Sequence, residues 1–367
     1  MTRRTPLGLL AAAIAAAGLA TVPAVARAHV ADEVRSDADW ILQAQLPDGA
    51  IATQIERTAI SPYLSNFAAV GLARAAQLTG DPRYADAAWR WLSWYRAHQD
   101  RSGFVTDYAI AGGQPSSARD MDSTDAYAGT FLMAAGAAWQ ATGDVPRLRE
   151  LEPGVVAAVA AIEATQRPDG LTWAKPAAHV KYLMDQAEAY AGARSAVAIA
   201  RALANAALRR RAAAIAVRLH AGVRRLWNPR RGAYDWAVHP GGVRQPTNWR
   251  VLYPDALQQA WAVAFGLAGG ARARGLMRRF AREQPRWDQP ASIARFRSRH
   301  RAVGYWAPAA WAFARVAELR RSRLAARRIR RAAIGAGRAW PFTVADAGQL
   351  VVLADPSRDA LTRLLGP

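Results

Sequence analysis

The sequence predicts an all-α chain of about twelve helices set in two concentric rings, inner and outer. Three observations predict it. A turn phrase recurs at intervals long enough for two helices and their loops. Between the turns, helices apolar on every face alternate with helices that carry an Arg-rich face. Acidic and aromatic residues gather where the apolar helices begin.

The turn phrase is Gln or Asn, a turn containing Gly, then an apolar tail. It reads Gln45-Leu46-Pro47-Asp48-Gly49-Ala50-Ile51, then Gln99-Asp100-Arg101-Ser102-Gly103-Phe104-Val105, then Gln166-Arg167-Pro168-Asp169-Gly170-Leu171. A looser copy is Asn228-Pro229-Arg230-Arg231-Gly232-Ala233-Tyr234. Pro presets φ and Gly supplies φ > 0, so Pro-Asp-Gly is strong turn chemistry. The glycines are separated by 54, 67 and 62 residues (49 to 103, 103 to 170 and 170 to 232). Self-similarity at such a period marks a repeated supersecondary unit.

The apolar helices include 67–76, 126–138, 187–200 and 260–269, rich in Ala and Gly. A helix apolar all round is buried on all sides. The Arg-faced helices include 83–98, 207–226 and 320–331, each with one face to solvent. Ser61-Pro62, Asp81-Pro82 and Tyr253-Pro254 open helices with Pro in the first turn. Gly80 and Gly143 stand at C-terminal caps. A leading helix covers about 32–46, buried helices start near 62, 124, 183, 254 and 305, and a weak pair closes the chain at about 344–365. An open solenoid of helix pairs is the alternative architecture, although its repeats are usually shorter.

Arg3 and Arg4, the apolar run from Pro6 to Ala26 and the small residues of Ala26-Arg27-Ala28 have the build of a secretory signal peptide over 1–28. Its paired arginines also allow twin-arginine export. Cleavage leaves residues 29–367 as one domain, secreted or extracytoplasmic, with no membrane span of its own. Cysteine is absent, which excludes disulfides and thiol chemistry. The formal charge is +21, much of it Arg. A general Arg enrichment of solvated helix faces explains it simply; attraction to an acidic glycan is the sharper reading. No nucleic-acid-binding motif is present, and no nucleic-acid partner is expected.

The alternating hairpins resemble the six-hairpin glycosidase superfamily, with its (α/α)6 toroid. So do three segments leading from a loop into a buried helix: Asp120-Met121-Asp122-Ser123-Thr124-Asp125-Ala126-Tyr127, Tyr182-Leu183-Met184-Asp185-Gln186-Ala187-Glu188-Ala189-Tyr190, and Tyr253-Pro254-Asp255-Ala256-Leu257. The resemblance implies that inner helices start at one mouth of the barrel, where acidic residues carry glycoside hydrolysis. No Glu-centred cellulase-like signature is present, so the family within the superfamily is not identified.

Hydrolysis needs a proton donor and a second carboxylate acting as base or nucleophile. Asp125 and Asp185, on neighbouring inner helices, are the candidate catalytic pair. A cap at Asp122 or Ser123 and a dipole partner at Asp125 would account for one acid of this segment, but poorly for three. Asp185 and Glu188 are three apart on one face; they either line the cavity or pair with Arg194 or Lys181. Asp120, Asp122, Tyr127, Glu188, Tyr190, Trp249, Tyr253, Asp255, Tyr305, Trp306 and Tyr63 are candidate carbohydrate-binding residues near the same mouth. Asp255 alone reads more simply as a first-turn cap. Core packing accounts for Trp89, Trp139, Trp261 and Trp311 within helices. A lyase using His179 with Tyr182 or Tyr190 and Arg250 is a lesser alternative, and a non-catalytic carbohydrate-binding or scaffold protein of the same fold is another. No metal or cofactor is expected: histidines lack ligand spacing, the Asp120–Asp125 cluster lacks the EF-hand calcium loop, and phosphate-binding and nucleophile-elbow motifs are absent.

Overall fold

The computed structural model describes residues 24–289 and 304–365. Most of the expected signal segment, and the centre of the Arg-dense stretch 272–331, lie outside these residues. Of residues 1–28 only the backbone from Ala24 onward, where the first helix begins, is described.

The helices are α1 (Ala24–Ala44), α2 (Pro62–Thr79), α3 (Pro82–Ala97), α4 (Thr124–Thr142), α5 (Val145–Thr165), α6 (Leu183–Ala202), α7 (Ala206–Arg225), α8 (Leu257–Ala264), α9 (Gly270–Glu283), α10 (Ala307–Arg315), α11 (Leu319–Gly335), α12 (Val344–Ala354) and α13 (Arg358–Leu365). Helices α2, α4, α6, α8, α10 and α12 pack in that cyclic order, and α12 returns to α2. This closes the inner ring and decides against the open solenoid. Around it stand α1, α3, α5, α7, α9 and α11. The fold is therefore all-α, an (α/α)6 toroid.

One expectation needs correction. The weak pair at 344–365 is not a last hairpin. α12 is the sixth inner helix, and its outer neighbours are α11 and the leading helix α1. α13 instead packs on α4, α6 and α10, among the inner helices. A buried ion network holds the closure together. Asp37 on α1 is fully buried and receives Arg330 (2.9 Å) from α11 and Arg338 (2.7 Å). Arg330 also reaches Glu33 (2.7 Å) and the Leu350 carbonyl on α12 (3.2 Å).

The recurring turn phrase proves to be a staple between outer helices. Gln45 donates to the carbonyl of Gly49 in its own turn (3.0 Å) and to Ala87 on α3 (2.9 Å). Gln166 does the same with Gly170 (3.0 Å) and Ile215 on α7 (3.4 Å). Gln99 reaches Gly154 on α5 (3.1 Å). Gly49, Gly103 and Gly170 all have φ between 80° and 101°. A Cβ there would lie 2.2–2.7 Å from a carbonyl oxygen of the next outer helix. Only Gly meets both demands.

Inner helices approach one another with equal closeness. A Cβ on Gly71 of α2 would lie 2.2 Å from the Cα of Gly348 on α12, and one on Gly192 of α6 would lie 2.4 Å from the Gly129 carbonyl of α4. The Ala- and Gly-rich composition that marked these helices as buried is what lets their backbones pack. Connections from inner to outer helices are short, at 80–81, 143–144, 203–205, 265–269 and 316–318. Those leading into inner helices are mostly long, as at 45–61, 98–123, 166–182, 226–256 and 284–306. The long ones carry the strands β1 (Ala59–Ile60), β2 (Tyr108–Ala111), β3 (Gln114–Ser117), β4 (Lys181–Tyr182), β5 (Trp227–Asn228), β6 (Ala233–Tyr234), β7 (Ala237–His239) and β8 (Val243–Gln245). They form the antiparallel sheets β1-β2-β3, β4-β7-β8 and β5-β6. The long loops and sheets thus stand over the N-terminal mouth of the inner ring.

Candidate active site

A cavity of about 390 Å³ opens at that mouth, within the span of about 300–1,000 Å³ typical of small-molecule sites. Residues at the starts of α2, α4, α6, α8 and α10 line it.

Carboxylates come from two segments. Asp122 stands just ahead of α4, exposed at the rim, and Ser123 follows it as the N-cap, accepting from the Ala126 N–H (3.2 Å). α6 supplies Asp185 in its first turn and Glu188 one turn deeper. Their spacing of three puts both on the face turned to the cavity. Glu188 is 1% exposed. Its Oε1 accepts from the Tyr63 hydroxyl (2.6 Å) on α2 and from the Trp261 indole N–H (3.0 Å) on α8.

Rings form the walls. Tyr182 lies parallel to Trp236 at 6.0 Å, and Tyr253 lies nearly parallel to Trp306 at 5.2 Å. Trp306 meets Trp261 edge-on at 6.3 Å. Tyr253 sits in extended conformation within a π-helical turn, Leu252–Ala256, which aims it at the cavity before α8 begins. Gln258 on α8 accepts from the Met184 N–H (3.0 Å), tying α8 to the first turn of α6.

The electrostatics follow from burial and crowding. Burial pushes Glu188 up to about 8, and Asp125 and Asp122 push the same way, against the two donors on Oε1. Asp185 is held well above the ordinary aspartate range by burial, then by Asp125, Glu188 and Asp122. Burial, and then Asp185, Asp122 and Glu188, push Tyr253 up to about 12. Tyr63 is raised well above its usual value by burial and by Glu188.

Six of the residues expected at the mouth meet in the cavity: Tyr63, Asp122, Asp185, Glu188, Tyr253 and Trp306. The others lie elsewhere. Asp125 is fully buried behind the wall; Ser123 donates to its Oδ1 (2.6 Å), and Thr172 donates to its Oδ2. Burial still pushes it up to about 6. Tyr127 stacks behind Tyr63 at 6.1 Å and donates to Asp107 (2.8 Å). Asp120 is exposed and paired with Lys175 (2.8 Å). Tyr190 is directed at His220, 6.2 Å away. Asp255 is buried and accepts from the Asn248 N–H (2.7 Å). Tyr305 packs edge-on to Phe342 at 5.2 Å. Trp249 borders a separate hollow with Arg231, Arg250 and Arg279. Of the lyase set, Tyr182 lines the cavity, but His179 stacks on Trp173 at 3.8 Å, Tyr190 is turned to His220, and Arg250 is exposed beside Trp249.

The cavity adds residues that sequence reasoning passed over. Trp261, read as core packing, lines it and binds Glu188. The signal was available in its spacing of three from Gln258, which shares its helix face. Trp236 came from an irregular hairpin and left no periodic signal.

The closed double ring of helices is a fold that this chain shares with solved glycosidase structures. Among solved structures, the chain is similar to a glycosidase at 14% identity (92% of this chain and 99% of that one, TM-score 0.66). It is similar to the GH63 mannosylglycerate hydrolase of Thermus thermophilus in complex with glucose at 15% identity (88% and 99%, TM-score 0.61). It also matches a GH78 family rhamnosidase of Bacillus sp. GL1 at 14% identity, over 90% of this chain but 34% of that longer one (TM-score 0.59). No protein-family model and no curated protein sequence matches the chain. The likeness establishes the fold.

Proposed function

We propose that this chain is a glycoside hydrolase whose chemistry is carried by carboxyl groups at the mouth of the toroid. The observation that carries the reading is Asp185: it faces the cavity, it holds its proton far above the ordinary range, and it stands between a rim carboxylate and a buried one. A protonated carboxyl in a desolvated pocket is a general acid in waiting. Asp185 donates to the departing glycosidic oxygen. Asp122, at the exposed rim where water enters, is the second carboxylate, activating water or attacking the sugar. Glu188, locked by Tyr63 and Trp261, binds sugar at the floor. Tyr253, Trp261 and Trp306 stack on the sugar's apolar face. Asp125 positions rather than reacts: it holds Ser123, whose hydroxyl also bonds Asp185.

The export segment over 1–28 puts the substrate outside the cytoplasm, and no described helix is long and apolar enough to cross a membrane. The test is hydrolysis of a panel of plant, bacterial and acidic glycans by wild type, Asp185→Asn and Asp122→Asn. Wild-type cleavage with both variants reduced by at least about a hundredfold supports the reading. Binding without cleavage by wild type defeats it and favours a carbohydrate-binding scaffold.

A further inference from the structure

The cavity is lined by acids within a strongly basic molecule. The chain carries a formal +21, yet no Lys or Arg stands among the described residues lining the cavity. The lysines closest in sequence to this mouth are engaged with acids, Lys175 with Asp120 and Lys181 with Asp169 (2.5 Å). Three carboxyl groups face the cavity where hydrolysis uses two. The third, Glu188, is the deepest. Its Oε1 accepts from two neutral donors, and the residue lines the cavity. Trp261, Trp306 and Tyr253 line the same cavity, and aromatic rings attract cations through their faces.

From this arrangement we infer that the sugar unit held in the cavity carries a free ammonium group, seated on Glu188. The inference rests on the hydrolase reading and names its substrate class: an amino sugar rather than a uronic acid or a sulfated sugar. An anionic sugar would meet three carboxyl groups, Asp122, Asp185 and Glu188, and no Lys or Arg among the described lining residues. An ammonium meets a carboxylate and aromatic faces, and charge-assisted hydrogen bonds of this kind are roughly twice as strong as neutral ones. Among the described residues, the titratable groups around Glu188 are Tyr63 of α2, Asp122 and Asp125 at the start of α4, Asp185 of α6 and Tyr253 ahead of α8. None of them bears positive charge. Glu188 therefore holds its proton in the empty cavity at neutral pH and gives it up to solvent when the ammonium arrives. The ammonium keeps its own protons, and the exchange balances with one proton released per sugar bound.

The experiment is isothermal titration of the full mature chain with glucosamine, N-acetylglucosamine, glucose and glucuronate. Each is run in two buffers of different ionisation enthalpy near neutral pH. Glucosamine is expected to bind at least about tenfold more tightly than glucose or N-acetylglucosamine. Its heat alone should differ between the buffers, reporting the released proton. In Glu188→Gln the preference for glucosamine should collapse to about twofold and the buffer dependence should vanish. The ranking of sugars by wild type stands even if that variant folds poorly. Equal binding of glucose, tighter binding of glucuronate, or no binding of glucosamine overturns the inference. If neutral glycans are cleaved while glucose and glucosamine bind alike, the substrate class is wrong and the hydrolase reading survives. If glucosamine binds with proton release and no glycan is cleaved, the hydrolase reading is what fails.

Discussion

Replacing Glu188 by Gln separates the electrostatics of this carboxyl from its packing. The amide keeps an oxygen where Oε1 accepts from Tyr63 and Trp261, and the side chain stays 1% exposed. What it loses is the ability to ionise. In the folded chain Glu188 holds its proton up to about 8, against 4.5 in the unfolded chain. At about 1.4 kcal/mol for each pH unit, the gap corresponds to a penalty on the order of 5 kcal/mol. The sign is fixed by proton counting. Between 4.5 and 8 the folded state binds more protons than the unfolded state, so stability falls as pH rises. Below 4.5 the penalty is absent, and above about 8 it is fully present. Glu188→Gln should therefore resemble wild type in urea unfolding near pH 4. It should become progressively more stable than wild type toward pH 9, by several kcal/mol. A stability difference that stays flat from pH 4 to 9, or that favours wild type at high pH, refutes the account of a desolvated, proton-holding floor.

Three further outcomes follow from the packing. Gly348→Ala inserts a methyl 2.3 Å from the Phe67 carbonyl; forced overpacking of this kind should cost on the order of 3 kcal/mol, read as a lowered midpoint in thermal or urea unfolding. Asp37→Asn weakens the network with Arg330 and Arg338 and leaves buried guanidinium charge poorly compensated; the expected loss is about 3–5 kcal/mol by urea unfolding. Gln166→Ala removes donors to Gly170 and Ile215 and should cost about 1–3 kcal/mol, with faster amide exchange in the 166–173 turn as its local signature.

The alternation of buried and solvent-facing helices was legible because composition reports burial directly: Ala and Gly on every face, or Arg on one. Ring closure was not, because it depends on contacts such as Arg330 with Asp37, 293 residues apart. α12 is short and follows a short connection, so its equivalence to α2 or α4 is visible only once it packs on α2. At the site, the mouth was legible and the phase of each helix was not. Tyr190 is two residues beyond Glu188, which turns it to the opposite side of α6, toward α7. Asp125 and Asp122 differ in the same way. The Ser123 cap divides them, leaving Asp122 in the loop at the cavity and Asp125 inside the helix, where Thr172 takes it. No periodicity argument places the loop residue Trp236.

The site's charge state also explains why it sits where it does. Inner helices have no solvent face except at their ends, so a charged group on one must find a cavity, a cap or a partner. Arg74 pairs with Asp355 near the C-terminal end of α2, and Asp346 closes the capping box of α12. Among the described residues, Asp185 and Glu188 have neither an ion pair nor a cap; they have the cavity. Helix N-termini favour negative charge by about 0.3–1 kcal/mol, up to about 2 in buried settings, which would draw protons off these acids. Both nevertheless hold their protons more tightly than usual. Burial and mutual repulsion therefore outweigh the dipoles. Among the described residues lining the cavity there is no Lys or Arg to reverse this. A mouth built this way favours the protonated carboxyl of Asp185 inside a strongly cationic protein, which is the condition the proposed acid catalyst requires.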